Sequence, residues 1–293
     1  MKILIIGYGY LGSALAERLL EKGHEVWGLR RHWVVVGAGS SRPTEGAETA
    51  PLRGIRKIEA DLLKPDSLKN LPVFHAVVFC QAPGKEDNYE QVYYQGTRNI
   101  LLALWKQEIK KLIMVSSTSV YAQKDGAWVD EFSDPGHGGA DAESLLKTED
   151  LVLSESHGIV FRLGGIYGPG RNRLKNFKVE EAVREPPLLG VSNAYVNRIH
   201  VEDAAAGIML LLEKGKDREI YLGVDDLPVS QKEFYEWLCL KLSLPLNPAI
   251  ENKEPARVSN KRCINKKIKE LGLKLKYPTF KEGYVELIEA IKK

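Results

Sequence analysis

The run ILIIGYGYLGSALAERL at positions 3–19 constrains this chain more than any other segment. A short β-branched strand runs into three glycines, at 7, 9 and 12, and then into an amphipathic helix. The three glycines serve different physical ends. One makes the tight turn, one lets a pyrophosphate approach the backbone, and one packs helix against strand. The helix N-terminus offers free N–H groups and the positive end of a dipole. Gly7, Tyr8, Gly9, Tyr10, Leu11 and Gly12 are therefore candidate dinucleotide-binding residues. The bland alternative is a glycine turn that only packs.

The pattern continues as a strand–helix alternation. Strands are expected at 3–6, 25–29, 54–60, 73–79, 111–117 and 158–163, with helices at 11–22, 88–107 and 142–157 and a short one after Pro65. Near-continuous apolar strands between helices imply a parallel sheet covered on both faces. The fold class is α/β, a Rossmann-type doubly wound sheet with a smaller, mostly C-terminal α+β substrate lobe. Residues 1–165 form the dinucleotide-binding part, with 199–223 returning to it, and 166–198 and 224–293 form the lobe. Helices are expected there at 200–213, 230–242 and 281–292, with a strand at 219–222. WVVV at 33–36 reads as a small extra strand and SSRPTEGAETAP as a loop.

The end of the second strand selects the cofactor. An acid there holds a ribose 2′-hydroxyl, whereas a cation accommodates a 2′-phosphate. Arg30 and Arg31 stand there without an acid, which favours NADP(H) over NAD(H). Asp61, followed by Leu62 in EADLLKP, is placed to accept from an adenine amino group or to cap the next helix.

Eight segments in order then resemble the extended short-chain dehydrogenase/reductases, in their NAD-dependent epimerase/dehydratase branch. They are GYGYLG, ADLLKP, CQAPG, QVYYQGTRNIL, VSSTSVYA, FRLGGIYGPGR, NRIHVEDAAAGI and LKYPTFKEG. QVYYQGTRNIL resembles the family helix that usually reads N-x-x-G-T-x-N-L. The resemblance implies that Gln81, Ala82, Pro83 and Ser116 contact the cofactor. It implies that Ser117 hydrogen-bonds the reacting oxygen, the donor a developing alkoxide needs. It also implies that Thr118, Tyr167, Arg171 and Arg198 line the substrate pocket. Either arginine can hold a phosphate or carboxylate.

One departure stands out. The family uses a tyrosine and a lysine four residues later as its acid/base pair. Matching Glu149, Leu151 and Val152 to the family's E-x-L-V puts Asp141 at the tyrosine position and Leu145 at the lysine position. Lys147 lies about 200° round the helix from Leu145 and faces elsewhere. Tyr121, beside the serine loop, and Asp141, if desolvated, are the candidate replacements; the flexible His137 is a weaker one. Against these stand a packed aromatic and a first-turn acid favoured by the helix dipole.

The remaining numbers exclude more than they assign. With 42 Lys+Arg and 39 Asp+Glu the net charge is +3, too small to point to nucleic acid or a membrane surface. Three scattered cysteines give no disulfide framework and no metal spacing. The N-terminus outwardly resembles an export signal, but glycines interrupt it and Glu17 and Arg18 follow, so a cytoplasmic chain is expected. The expected function is an NAD(P)-dependent oxidoreductase or epimerase-like enzyme on a small polar substrate such as a nucleotide sugar, lacking the usual tyrosine and lysine. The alternative is a non-catalytic NADP(H)-binding regulatory or structural protein. The resemblance allows a homodimer through 88–107 and 142–157, but no stripe there is apolar enough to decide the assembly.

Overall fold

The computed structural model describes residues 1–33, 53–84, 87–174, 192–244 and 260–292. In chain order its strands are β1 (Lys2–Ile6), β2 (Glu25–Arg30), β3 (Arg56–Glu59), β4 (Ala76–Phe79), β5 (Lys111–Ser117), β6 (Ala127–Val129), β7 (Gly158–Leu163), β8 (Gly165–Tyr167), β9 (Tyr195–Val196), β10 (Arg198–His200), β11 (Glu219–Gly223), β12 (Val229–Ser230) and β13 (Lys261–Cys263). Seven of them make one parallel sheet in the order β11-β7-β5-β4-β1-β2-β3. The chain winds outward from β1 to β3, then crosses back to β4 beside β1. A crevice opens at the carboxyl ends of the strands at such a reversal, and ligands bind there. This is the expected Rossmann-type fold.

The central strands read as they do because both faces are covered. β4 and β7 are buried along their whole length. One core joins Ile3, Ile5, Val78 and Phe161 to the helices Tyr10–Glu21 and Val201–Lys214. The other joins Leu4, Val77, Met114 and Val160 to the helices Gly96–Leu104 and Ala140–Ser154. A third cluster, around Phe234, Leu238, Phe280 and Tyr284, lies away from the sheet between the helices Gln231–Leu242 and Phe280–Lys292.

Two differences from the sequence-based expectation matter. The helix expected over 88–107 contains a π-helical turn, Gln91–Gln95, before Gly96–Leu104. Single π turns inside α-helices are frequent at functional sites. Three short two-stranded ladders, β8 with β10, β9 with β12 and β6 with β13, are invisible in the sequence because two- or three-residue strands carry no periodicity. The WVVV strand falls almost wholly outside the described residues.

Candidate active site

A groove of about 670 Å³ runs along the carboxyl ends of β1, β2, β4, β5 and β7. Its floor is the glycine turn. Gly7 has φ +84°, and a Cβ there would lie 2.5 Å from the Gln81 backbone. A Cβ on Gly12 would lie 2.6 Å from the Gly7 carbonyl oxygen. Packing alone thus explains Gly7 and Gly12. Gly9 is different: nothing lies within 4 Å of the Cβ it lacks, and the space opens into the groove. The helix beginning at Tyr10 has no side-chain cap and no acid in its first turn, so its positive end faces that space uncompensated. The residues therefore suit a dinucleotide, with the pyrophosphate at Gly9 and the helix end.

Of the residues expected at the cofactor, Gly7, Tyr8, Gly9, Tyr10, Leu11, Arg30, Arg31, Asp61, Leu62, Gln81, Ala82 and Ser116 line the groove. Gly12 and Pro83 do not, and Gly12 acts by packing beneath the turn. The two arginines separate. Arg31 is held by Asp87 at 2.7 and 3.2 Å, a hydrogen bond that raises its pKa above the ordinary value. Arg30 lies 5.7 Å from the Trp33 ring centroid, and its Nη1 is buried without a partner among the described residues. Buried polar atoms are almost always paired, so an orphan lining a groove marks a ligand contact. Asp61 accepts from the Leu63 N–H at 3.0 Å in a turn ahead of the 3-10 helix Pro65–Leu68; the N-cap of that helix is Lys64, so Asp61 does not cap it, and Asp61 lines the groove.

At the other end of the groove stand Ser117, Leu163 and Gly164. Ser117 Oγ accepts from the Ser119 N–H at 3.1 Å, which fixes the oxygen and leaves its own proton free to donate. Ser116 donates to Glu149, behind the groove. There Glu149, 1% exposed, takes the guanidinium of Arg162, 3% exposed, in a fork with contacts of 2.6 and 3.1 Å. Burial opposes the Arg162 charge, but Glu149 and Tyr121 raise its pKa above the ordinary value.

Both expected replacements for the acid/base pair are corrected here. Tyr121 is fully buried, donates to the Asp130 carbonyl at 2.7 Å, accepts from Arg162 at 2.7 Å, and does not line the groove. Burial pushes its phenol up to about 12. The 3-10 turn Thr118–Val120 carries it behind the sheet edge. Asp141 is exposed on the first helical turn and does not line this groove; Leu145 is buried. Thr118, expected at the substrate, is packed beside Cys263. Lys147 faces outward to Glu90.

A second chamber, of about 230 Å³, adjoins the groove and shares Gly165, Ile166 and Arg171 with it. Tyr167, Arg171 and Arg198, all expected, line it; Arg173, Tyr235 and Tyr284 were missed. Its described lining holds three arginines and no carboxylate. Arg198 is 9% exposed and stacks 3.8 Å from the Phe234 centroid. Among the described residues its one hydrogen bond is a long 3.5 Å contact from Nη1 to the Val196 carbonyl. Burial holds its pKa below the ordinary value. Nearby Asp225 is 3% exposed and pushed up to about 8 by burial, with Oδ2 unpartnered. The Tyr167 hydroxyl is a third orphan. An unpaired buried charge costs several kcal/mol, roughly, and the described residues supply this chamber with no full partner for the Arg198 guanidinium. His200 has a different role: buried, it accepts from the Glu202 N–H and packs 3.9 Å from the Tyr277 ring.

Fold and groove together place the chain among Rossmann-type dinucleotide-binding proteins. Within that class, the model of the NAD dependent epimerase/dehydratase family matches residues 3–222, and the chain belongs to that family. It is 26% identical over 287 residues to Protein YeeZ of Escherichia coli K12, covering 94% of this chain and 96% of that one. It is 29% identical over 231 residues to a 2-alkyl-3-oxoalkanoate reductase of Stenotrophomonas maltophilia, covering 73% and 66%. Among solved structures it resembles an NAD-dependent epimerase/dehydratase-type protein of Methylobacillus flagellatus, at 30% identity and TM-score 0.78 over 100% and 99% of the chains. The NAD complex of a Bacillus anthracis dTDP-glucose 4,6-dehydratase shares the fold, at 20% identity and TM-score 0.75 over 97% and 94%. Among the described residues no helix is long and apolar enough to cross a membrane, and no cluster suits a metal ion.

Proposed function

We propose that this chain is an NADP(H)-preferring carbonyl oxidoreductase acting on a small anionic substrate. The observation that carries this reading is the junction of two spaces: a dinucleotide-suited groove, lined by Ser117, meets an arginine chamber at Gly165, Ile166 and Arg171. A bound nicotinamide would supply the hydride chemistry. Arg30 would take the 2′-phosphate, and Gly9 with the helix end the pyrophosphate. Arg171, Arg173 and Arg198 would hold the substrate's anionic group, and Ser117 would donate to its reacting oxygen. A 3-oxo carboxylate combines such an anion with a reducible carbonyl, and the Stenotrophomonas relative is named for substrates of that kind. Nucleotide sugars, whose phosphates are also anionic, are the second substrate class.

Titration of the purified protein with NADPH and NADH, followed by energy transfer from tryptophan to nicotinamide, tests the reading. At least tenfold tighter NADPH binding, about 1.4 kcal/mol, is expected. Equal affinities would remove the NADP(H) preference, and binding of neither would remove the cofactor reading. A non-catalytic NADP(H)-binding role is the second reading, favoured by the exposed Asp141 and buried Leu145 at the family's acid/base positions.

A further inference from the structure

We propose that Tyr93 supplies the phenol that the family keeps at position 141: it donates the proton to the substrate oxygen. This rests on the carbonyl oxidoreductase reading above. Tyr93 lies on the π-helical turn Gln91–Gln95 and lines the groove together with Ser116 and Ser117. Its helix keeps the family's Gly96, Thr97 and Asn99 but departs at 93, where N-x-x-G-T-x-N-L has asparagine. A polar amide has been exchanged for a phenol at a groove-lining position, in a chain that has lost its phenol elsewhere. The turn packs against the helix Ala140–Ser154, which carries the vacated Asp141 and Leu145 positions.

The side chain is placed to act as a donor. Its ring packs 5.4 Å from Tyr89, and among the described residues its hydroxyl makes no hydrogen bond. Thr97 and Asn99, on the same helix, are by contrast tied to Gln81, Gln95 and the Leu62 carbonyl. Burial, Tyr89 and the Asp141 charge all raise the Tyr93 pKa above its ordinary value, so the phenol keeps its proton until a stronger base develops beside it. In the reducing direction the carbonyl carbon accepts a hydride from reduced NADP(H), and the C=O π pair moves to oxygen. Tyr93 gives that oxygen its proton while Ser117 hydrogen-bonds it. Water at the groove mouth reprotonates the phenolate. One carbonyl, one NADPH and one proton become one alcohol and one NADP+.

The test compares wild type, Tyr93→Phe and the control Tyr89→Phe by NADPH titration, by reduction of 2-methyl-3-oxobutanoate, and by NMR of protein labelled with carbon-13 at tyrosine Cζ. Tyr93→Phe should bind NADPH within about twofold of wild type and keep its KM, while kcat falls at least about 100-fold, the usual worth of a general acid. Tyr89→Phe should keep its kcat. The Tyr93 Cζ resonance, assigned by its loss in Tyr93→Phe, should shift when NADPH binds. A Tyr93→Phe enzyme within threefold of wild-type kcat overturns the proposal, and so does a Cζ resonance indifferent to NADPH, even if this keto acid is not turned over. Failure of wild type to bind NADPH would instead overturn the oxidoreductase reading, and this proposal with it.

Discussion

Two arginines are buried in this molecule to a similar degree and to opposite ends. Arg162, on the central strand β7, is saturated: Glu149 takes its fork and Tyr121 a further N–H. Arg198, on the short strand β10, has two aromatic rings and one long bond to a carbonyl. A buried charge that the fold satisfies is part of the fold, whereas one that the described residues leave open is the candidate for a ligand contact. The contrast runs through the molecule. Gly12 is filled against Gly7 while Gly9 opens to the groove, and Arg31 is bound by Asp87 while Arg30 is not.

The sharpest way to break the comparison is to remove each guanidinium. Arg162→Met strands Glu149 as a lone buried carboxylate and should cost about 3–5 kcal/mol of stability, read by urea denaturation. Arg198→Met replaces an unpaired charge with an apolar chain, so its urea midpoint should equal or exceed that of wild type. Its loss should fall on the substrate instead, about 2–5 kcal/mol in kcat/KM. The glycines divide likewise. Gly9→Ala should melt like wild type yet bind NADPH at least tenfold more weakly, about 1.4 kcal/mol. Gly7→Ala should lower the melting temperature, because its φ of +84° and the nearby Gln81 backbone both exclude a Cβ. For the second strand's arginines, Arg30→Ala should abolish most of the NADPH-over-NADH preference, and Arg31→Ala should leave it nearly intact.

A further effect concerns pH. The folded Asp225 carboxyl titrates near 8 rather than at its ordinary 3.8, so between those values the folded chain holds a proton that the unfolded chain has lost. Stability therefore falls as pH rises through that window. Asp225→Asn removes the loss: its melting temperature should match wild type near pH 4 and exceed it near pH 8. A rise of about 2–4 °C per kcal/mol recovered is expected. A variant less stable than wild type at the upper end would show that Asp225 is charged and pairs with Arg198.

The groove's nucleotide end was legible because its chemistry sits in backbone geometry, and glycine spacing between a strand and a helix encodes that locally. The far end was legible in Ser117 and Arg171, and as a loss at Asp141 and Leu145. Tyr121 misled because neighbours in sequence part company at a 3-10 turn: Ser117 faces the groove and Tyr121 the core. Arg162 carried an unread signal, a charge in the middle of the apolar strand GIVFRL. Such a charge requires a buried acid, which Glu149 provides. Arg173, Tyr235 and Tyr284 were invisible because the chamber gathers them from separate segments that share no motif. The π turn that presents Tyr93 left no trace in the periodicity.

If Arg198 holds a substrate anion beside a dinucleotide, removing its guanidinium removes affinity for that anion. Calorimetric titration of the NADP+-loaded protein with 2-methyl-3-oxobutanoate, in wild type and Arg198→Met, tests it most directly. The account requires wild type to bind the keto acid and Arg198→Met to lose at least tenfold in affinity, with NADP+ affinity unchanged in both. Equal keto-acid affinity in the two proteins, or none in wild type, would contradict it.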